Sequence, residues 1–157
     1  MSERMTGSVN IQFFIAGIIQ GSKTDTAVFD QDYRNVIKEI LAGTFPDCRI
    51  ICPVENHPAS VSYSTEKAAS VFHDHVRIAA ESDMLVVYLP EASMGSSIEM
   101  WEARRHGIPI VSITPMQANW VVRILSNKIC PSLACFRSFV NSGECADLID
   151  AIGGERE

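Results

Sequence analysis

The chain has no run of Lys or Arg, no paired CxxC spacing, no apolar stretch of bilayer length and no GxGxxG fingerprint. Each absence excludes something. Thirteen basic against nineteen acidic residues give a net charge of −6. Without clustered positive charge there is little to neutralise a phosphate backbone, so a nucleic-acid groove is not expected. Small anionic ligands stay possible, because helix N-termini hold anions without net positive charge. No apolar run nears the ~20 residues of a transmembrane helix. The opening residues up to Gly21 carry only Arg4 ahead of a short apolar part, and read as a polar leader and a first strand rather than a signal peptide. Cys48, Cys52, Cys130, Cys135 and Cys145 are odd in number and unpaired in spacing. They suggest neither a zinc site nor a disulfide framework, but reduced thiols in a cytoplasmic protein. No metal and no cofactor is expected.

What is present is a chain of single-domain length, 157 residues, whose apolar runs alternate with helical patterns. The stretch SDMLVVYLPEASMGSSIEMWEARRHGIPIVSI is its centre. Met84 to Leu89 reads as a buried strand, and Ser96 to His106 as a helix stopped by Gly107. Ile110 to Ile113 reads as a second strand. A strand–helix–strand unit of this kind makes its two strands parallel.

The rest follows the same rhythm. Val9 to Gly17 is an expected strand, with Gly17 and Gly21 bracketing a loop where backbone can approach a ligand. Asp25 to Ala42 reads as a helix, Arg49 to Val54 as a strand, and Ser64 to Glu81 as a helix with His75 on its apolar face and Asp74 on the border. A helix starts near Asn119. Leu133 to Val140 is an expected fifth strand, Glu144 to Ile152 a last helix, and the tail after it is expected to fray. Together these predict an α/β fold: a three-layer, doubly wound, flavodoxin- or Rossmann-like sandwich on a five-stranded parallel sheet. Ligands in such folds bind beyond the carboxyl ends of the strands, where the loop after Leu89 lies.

Two chemistries fit that loop. Ser96 and Glu99 form S-x-x-E, a capping box in which Glu99 serves only its own helix. The same residues place a carboxylate in a first helical turn facing the ligand crevice, held as an anion by the helix dipole. An ionised, fixed carboxylate can attack an electron-poor sugar carbon. Ser93, Gly95 and Ser96 supply N–H and O–H groups around it, a cradle for phosphate or sugar hydroxyls.

The joined motif Asp83 to Leu89, Ser93-Met-Gly95, Ile98-Glu99-Met-Trp-Glu-Ala103 and Gly107-Ile-Pro109 resembles the nucleoside 2-deoxyribosyltransferase family and its deoxynucleotide N-hydrolase relatives. The opening FFIAG with Gly21 is similar to theirs. The resemblance spans roughly residues 9 to 125. It implies a retaining N-glycosidic mechanism, with Glu99 as nucleophile and Ser93 against a phosphate. An acid–base group is implied on the preceding helix. That position falls on His75 without a gap and on Asp74 after a one-residue shift. A carboxyl suits the leaving base's proton and favours Asp74, while His75 suits acid–base work near neutral pH. The family's opening tyrosine falls on Phe14, its phosphate-holding serine and arginine on Ile18 and Gln20, and the lysine of its GKP on Ile108. The chemistry is thus expected to outlast the substrate. Neighbouring subunits complete the site in the family, which implies a homodimer or larger oligomer with Asn119, Trp120 and Arg123 as contributors.

The expected function is an N-glycosidase or N-glycosyl (deoxyribosyl) transferase. It would act on a nucleoside, nucleotide or related ribosyl compound through a glycosyl-Glu99 ester, with Phe14, Gly17, Gln20, Gly21, Ser93, Gly95, Ser96 and Asn119 binding substrate. The alternatives are a non-catalytic nucleotide-binding sensor on the same fold, and a flavodoxin-like carrier.

Overall fold

The computed structural model describes residues 10–154. Five strands form one parallel sheet: β1 (Gln12–Gly17), β2 (Arg49–Ile51), β3 (Met84–Tyr88), β4 (Ile110–Ile113) and β5 (Lys128–Cys130). Their spatial order is β2-β1-β3-β4-β5. The order reverses at the β1/β3 boundary, which opens a crevice beyond the carboxyl ends of those two strands. Register there pairs Phe13 with Met84 and Gly17 with Tyr88. The start of the pair is pinned by Asp83. Its carboxylate accepts from the Gln12 N–H at 2.8 Å, and its own N–H donates to the Gln12 carbonyl.

The helices divide between the two faces. Alternate strand residues Phe13, Ile15, Met84, Val86, Val111 and Ile113 meet α1 (Tyr33–Thr44), α6 (Leu133–Asn141) and α7 (Glu144–Gly153). The residues between them, among them Phe14, Ala16, Leu85, Val87 and Ile110, meet α3 (Thr65–Glu81), α4 (Met94–Arg105) and α5 (Trp120–Leu125). A short helix α2 (Pro53–Asn56) and a 3₁₀ turn at Ser60–Ser62 lie between β2 and α3. Strands with apolar side chains on both faces are what a sheet covered on both sides requires. The α/β sandwich expected from the sequence is the fold observed. No described helix is long and apolar enough to cross a membrane.

Several boundaries differ, each for a local reason. The helix expected from Asp25 begins at Tyr33 instead. Asp25 Oδ1 accepts from the Ala27 N–H and Asp30 Oδ1 from the Asp32 N–H, both two residues on, and such Asx turns compete with helix. The strand expected to reach Val54 stops at Ile51, because Pro53 stands at a helix start. The fifth strand is Lys128–Cys130, and Leu133–Val140 is helical. Ser132 Oγ caps that helix from the Cys135 N–H at 3.2 Å, and Phe136, Phe139 and Val140 are buried at i, i+3, i+4 spacing. Val9, the leader before it and residues 155–157 of the tail lie outside the described residues.

Candidate active site

A cavity of about 310 Å³ sits at the β1/β3 crevice. Its floor is the end of β1. Gly17 lines it through backbone, because the space a Cβ would fill is held by the Tyr33 hydroxyl from below. That hydroxyl donates to the Ile18 carbonyl at 3.2 Å, and the Tyr33 ring stacks on Tyr88 with centroids 4.1 Å apart. Gly17 therefore serves the packing of α1 and leaves its backbone at the cavity surface. Gln20 and Gly21 form one rim. Gly21 has φ +56°, and a Cβ there would stand 2.8 Å from Ile18 Cδ1 and from Phe29 Cε2, so only glycine turns the chain here without strain.

One wall comes from α4. Ser93, not Ser96, is its N-cap: the Ser93 hydroxyl accepts from the Ser96 N–H at 3.4 Å, and the Ser97 hydroxyl donates to the Ser93 carbonyl at 2.8 Å. The helix thus begins earlier than the sequence pattern suggests, and Glu99 falls in its second turn. The capping-box reading of Glu99 is lost with that shift, and so is the anion-holding dipole, which acts on the first turn. Glu99 instead stands on the helix's buried stripe, with Ser96, Met100 and Ala103 at i, i+3, i+4, i+7 spacing. It is 9% exposed and lines the cavity. Among the described residues no group hydrogen-bonds its carboxyl, and no sealed side-chain oxygen is left without a partner, so the carboxyl opens onto the cavity. Burial pushes its pKa up to about 8, against the opposing pull of Arg34. At neutral pH Glu99 is mainly protonated, the reverse of the anion expected from the sequence.

The opposite wall is apolar and aromatic. Val61 and Tyr63, from the segment before α3, meet Val71, Phe72 and His75 on α3. His75 is half-buried. Its ring lies 5.4 Å from that of His57, whose Nδ1 is 3.0 Å from the Tyr63 hydroxyl. Burial, then His57, lower the His75 pKa, with Asp74 opposing, so His75 is neutral at pH 7.

Of the residues singled out from the sequence, Glu99, His75, Gly17, Gln20, Gly21, Ser93, Gly95 and Ser96 line this one cavity. Three do not. Asp74 faces solvent, 62% exposed, with Arg77 Nη2 3.7 Å from its Oδ1. The one-residue shift toward Asp74 turns the wrong way round the helix. Phe14 is fully buried in the core, its ring centroid 6.2 Å from that of His75. Asn119 caps α5, its Oδ1 accepting from the Val122 N–H at 3.3 Å. Trp120 and Arg123 line a separate surface hollow.

Arg34 is the charged lining residue that sequence reasoning missed, and Tyr63 and Phe72 are aromatic ones. Arg34 is 3% exposed and reaches the cavity from α1. The signal was its place one turn before Ile37 on the stripe that also buries Ile40 and Leu41. No cluster of His, Cys, Asp and Glu among the described residues could hold a metal ion.

No protein-family model matches the chain, and no curated protein matches it in sequence. Solved structures match its fold. A conserved protein from Enterococcus faecalis superposes with a TM-score of 0.58 at 15% identity, covering 85% of this chain and 99% of its own. The 2-deoxyribosyltransferase of Bacillus psychrosaccharolyticus superposes with a TM-score of 0.57 at 14% identity, covering 80% of this chain and 90% of its own. The CMP N-glycosidase of Clostridium botulinum overlays more loosely, with a TM-score of 0.49 at 14% identity over 83% of this chain and 98% of its own. The fold is thus one that a 2-deoxyribosyltransferase uses, the kind of protein the central motif resembles.

Proposed function

We propose that the chain is an N-glycosidase or N-glycosyl transferase that cleaves the bond between a sugar and a base through a covalent ester on Glu99. The observation that carries this reading is a carboxyl opening onto a cavity at the sheet's switch point, with Tyr63, Phe72 and His75 in the same lining. A base would stack against Tyr63, Phe72 and His75, with its sugar toward Glu99. The fold shared with a 2-deoxyribosyltransferase supports the same class of chemistry.

The proton balance follows from the two titrations. At neutral pH burial keeps one proton on Glu99 and none on the second nitrogen of His75. Passing that proton to His75 creates the two groups the reaction needs together, a carboxylate and an imidazolium. A Glu99 oxygen then bonds to the anomeric carbon as the C–N bond breaks. The bonding pair leaves with the base, which takes the imidazolium proton. Water, or the nitrogen of a second base, next attacks the anomeric carbon, gives its proton to His75 and frees the Glu99 carboxylate.

Free base should appear when the protein is incubated with a panel of nucleosides, nucleotides and NAD. Liberation from none of them would remove the reading. A second reading, a nucleotide-binding sensor, is favoured by the protonated resting state of Glu99, and predicts ligand binding without any base release.

The chain is also proposed to pair with itself. Met94, Ile98 and Trp101 on α4, with Trp120, Val121 and Ile124 on α5, are exposed apolar side chains on neighbouring helices. Such a patch marks a contact surface, and Met94 also stands at the cavity. Light scattering should report a dimer or larger assembly in the wild type and monomer in a Trp101→Glu, Trp120→Glu double variant. A monomeric wild type would contradict this.

A further inference from the structure

Arg34 is a buried cation in the lining of the cavity. Its guanidinium is tethered at all three nitrogens. Nε donates to Gln31 Oε1 at 2.8 Å, Nη1 to the Ile15 carbonyl at 2.9 Å, and Nη2 to the Gly17 carbonyl at 3.5 Å. Its carbon also lies 5.0 Å from the Tyr33 ring centroid. These acceptors come from β1 and from the segment before α1, so the group is tied to the cavity floor. An arginine cannot shed its proton to escape burial. The fold has therefore fixed a permanent positive charge, 3% exposed, in the lining that also holds Glu99.

We propose that Arg34 is a positioning residue for the reaction: a tethered cation in the same lining whose field favours the ionised form of Glu99. The inference rests on Glu99 being the reactive group, but its test does not require turnover. The titratable and charged groups around Glu99 are few. Among the described residues, Arg34 from α1, His75 from α3 and Tyr63 from the segment before it share the cavity lining with Glu99, and Tyr33 on α1 feels its charge. Burial pushes the Tyr33 hydroxyl upward, so it is uncharged, and His75 is neutral above its lowered pKa. Arg34 is thus the fixed positive charge among them. An opposite charge within about 4–6 Å commonly moves a carboxyl by roughly one to three pH units.

The experiment follows the Glu99 carboxyl carbon by NMR titration of the ligand-free, ¹³C-glutamate-labelled protein, with Glu99→Gln supplying the assignment. The wild type should titrate near 8. Arg34→Lys keeps a charge and should stay close to it, whereas Arg34→Met should titrate about one pH unit higher or more. A structural role alone would treat Lys and Met alike, since both lose the fork. If Arg34→Met does not fold, Gln31→Glu sets a carboxylate against the guanidinium from outside the cavity and should raise the Glu99 midpoint in the same direction. A midpoint unmoved in the folded Met variant, or in Gln31→Glu, overturns the proposal. An unmoved midpoint with intact turnover leaves the glycosyl-transfer reading standing; a moved midpoint with no turnover on any substrate does the reverse.

Discussion

Glu99→Gln should abolish turnover and at the same time make the protein harder to unfold. The amide cannot attack an anomeric carbon, so base release should fall by about 10³-fold or more. The gain in stability comes from burial. Glu99 has its pKa raised from 4.5 to about 8 in the folded protein. The folded state therefore holds the proton after the unfolded chain has lost it, and stability drains away as pH rises from 4.5 through about 8. Gln resembles the protonated carboxyl in shape and never pays that penalty. Above pH 8 the difference should reach a few kcal/mol, or roughly 5–10 °C in Tm for a chain of this length. At pH 4 the two proteins should melt together. Thermal melts at pH 4, 6, 8 and 9 check this; a Tm gap that does not widen with pH would mean that Glu99 is not an ionisable group held in an apolar site.

The second large effect is on the shape of the pH profile. If Glu99 must be ionised while His75 is protonated, kcat/KM of the wild type is bell-shaped. It rises through the lowered pKa of His75, below 6.5, and falls through about 8. Between these limits the pair shares one proton, and only the minor arrangement reacts. In His75→Ala the acid is gone, and the rate at the optimum should drop by ~10²–10⁴-fold. The remaining demand is an ionised Glu99, so the residual activity should rise with pH through about 8 where the wild type falls. That reversal on the alkaline side is not produced by a damaged fold. A variant that keeps the alkaline decline would assign the proton to another group. Asp74→Asn, at an exposed side chain outside the cavity, should leave the bell in place.

The sheet was legible because parallel strands buried on both faces print as short apolar runs, and MLVVY and IVSI are such runs. Leu133–Val140 misled because an apolar helix face and a buried strand have the same composition. Only the i, i+3, i+4 spacing of Phe136, Phe139 and Val140, and the cap at Ser132, separate them. The site was legible where chemistry and chain order coincide: the residues from Ser93 to Glu99 are contiguous, and the loop after a strand is where a switch point puts them. Arg34 was not, because its meaning depends on β1 carbonyls nineteen and seventeen positions away in sequence. The ionisation of Glu99 was misread for a related reason. Moving the cap from Ser96 to Ser93 takes the carboxyl out of the first turn and into the core stripe, and one turn of helix exchanges a stabilised anion for a buried acid.

Covalent attack by Glu99 is tested most directly by weighing the intact protein after incubation with a 2-fluoro sugar analogue of a nucleoside that it cleaves. The expected result is a gain of one fluorosugar residue, mapped to the peptide holding Glu99 and absent from Glu99→Gln. Base release with the protein's mass unchanged, or an adduct on any other residue, would contradict it.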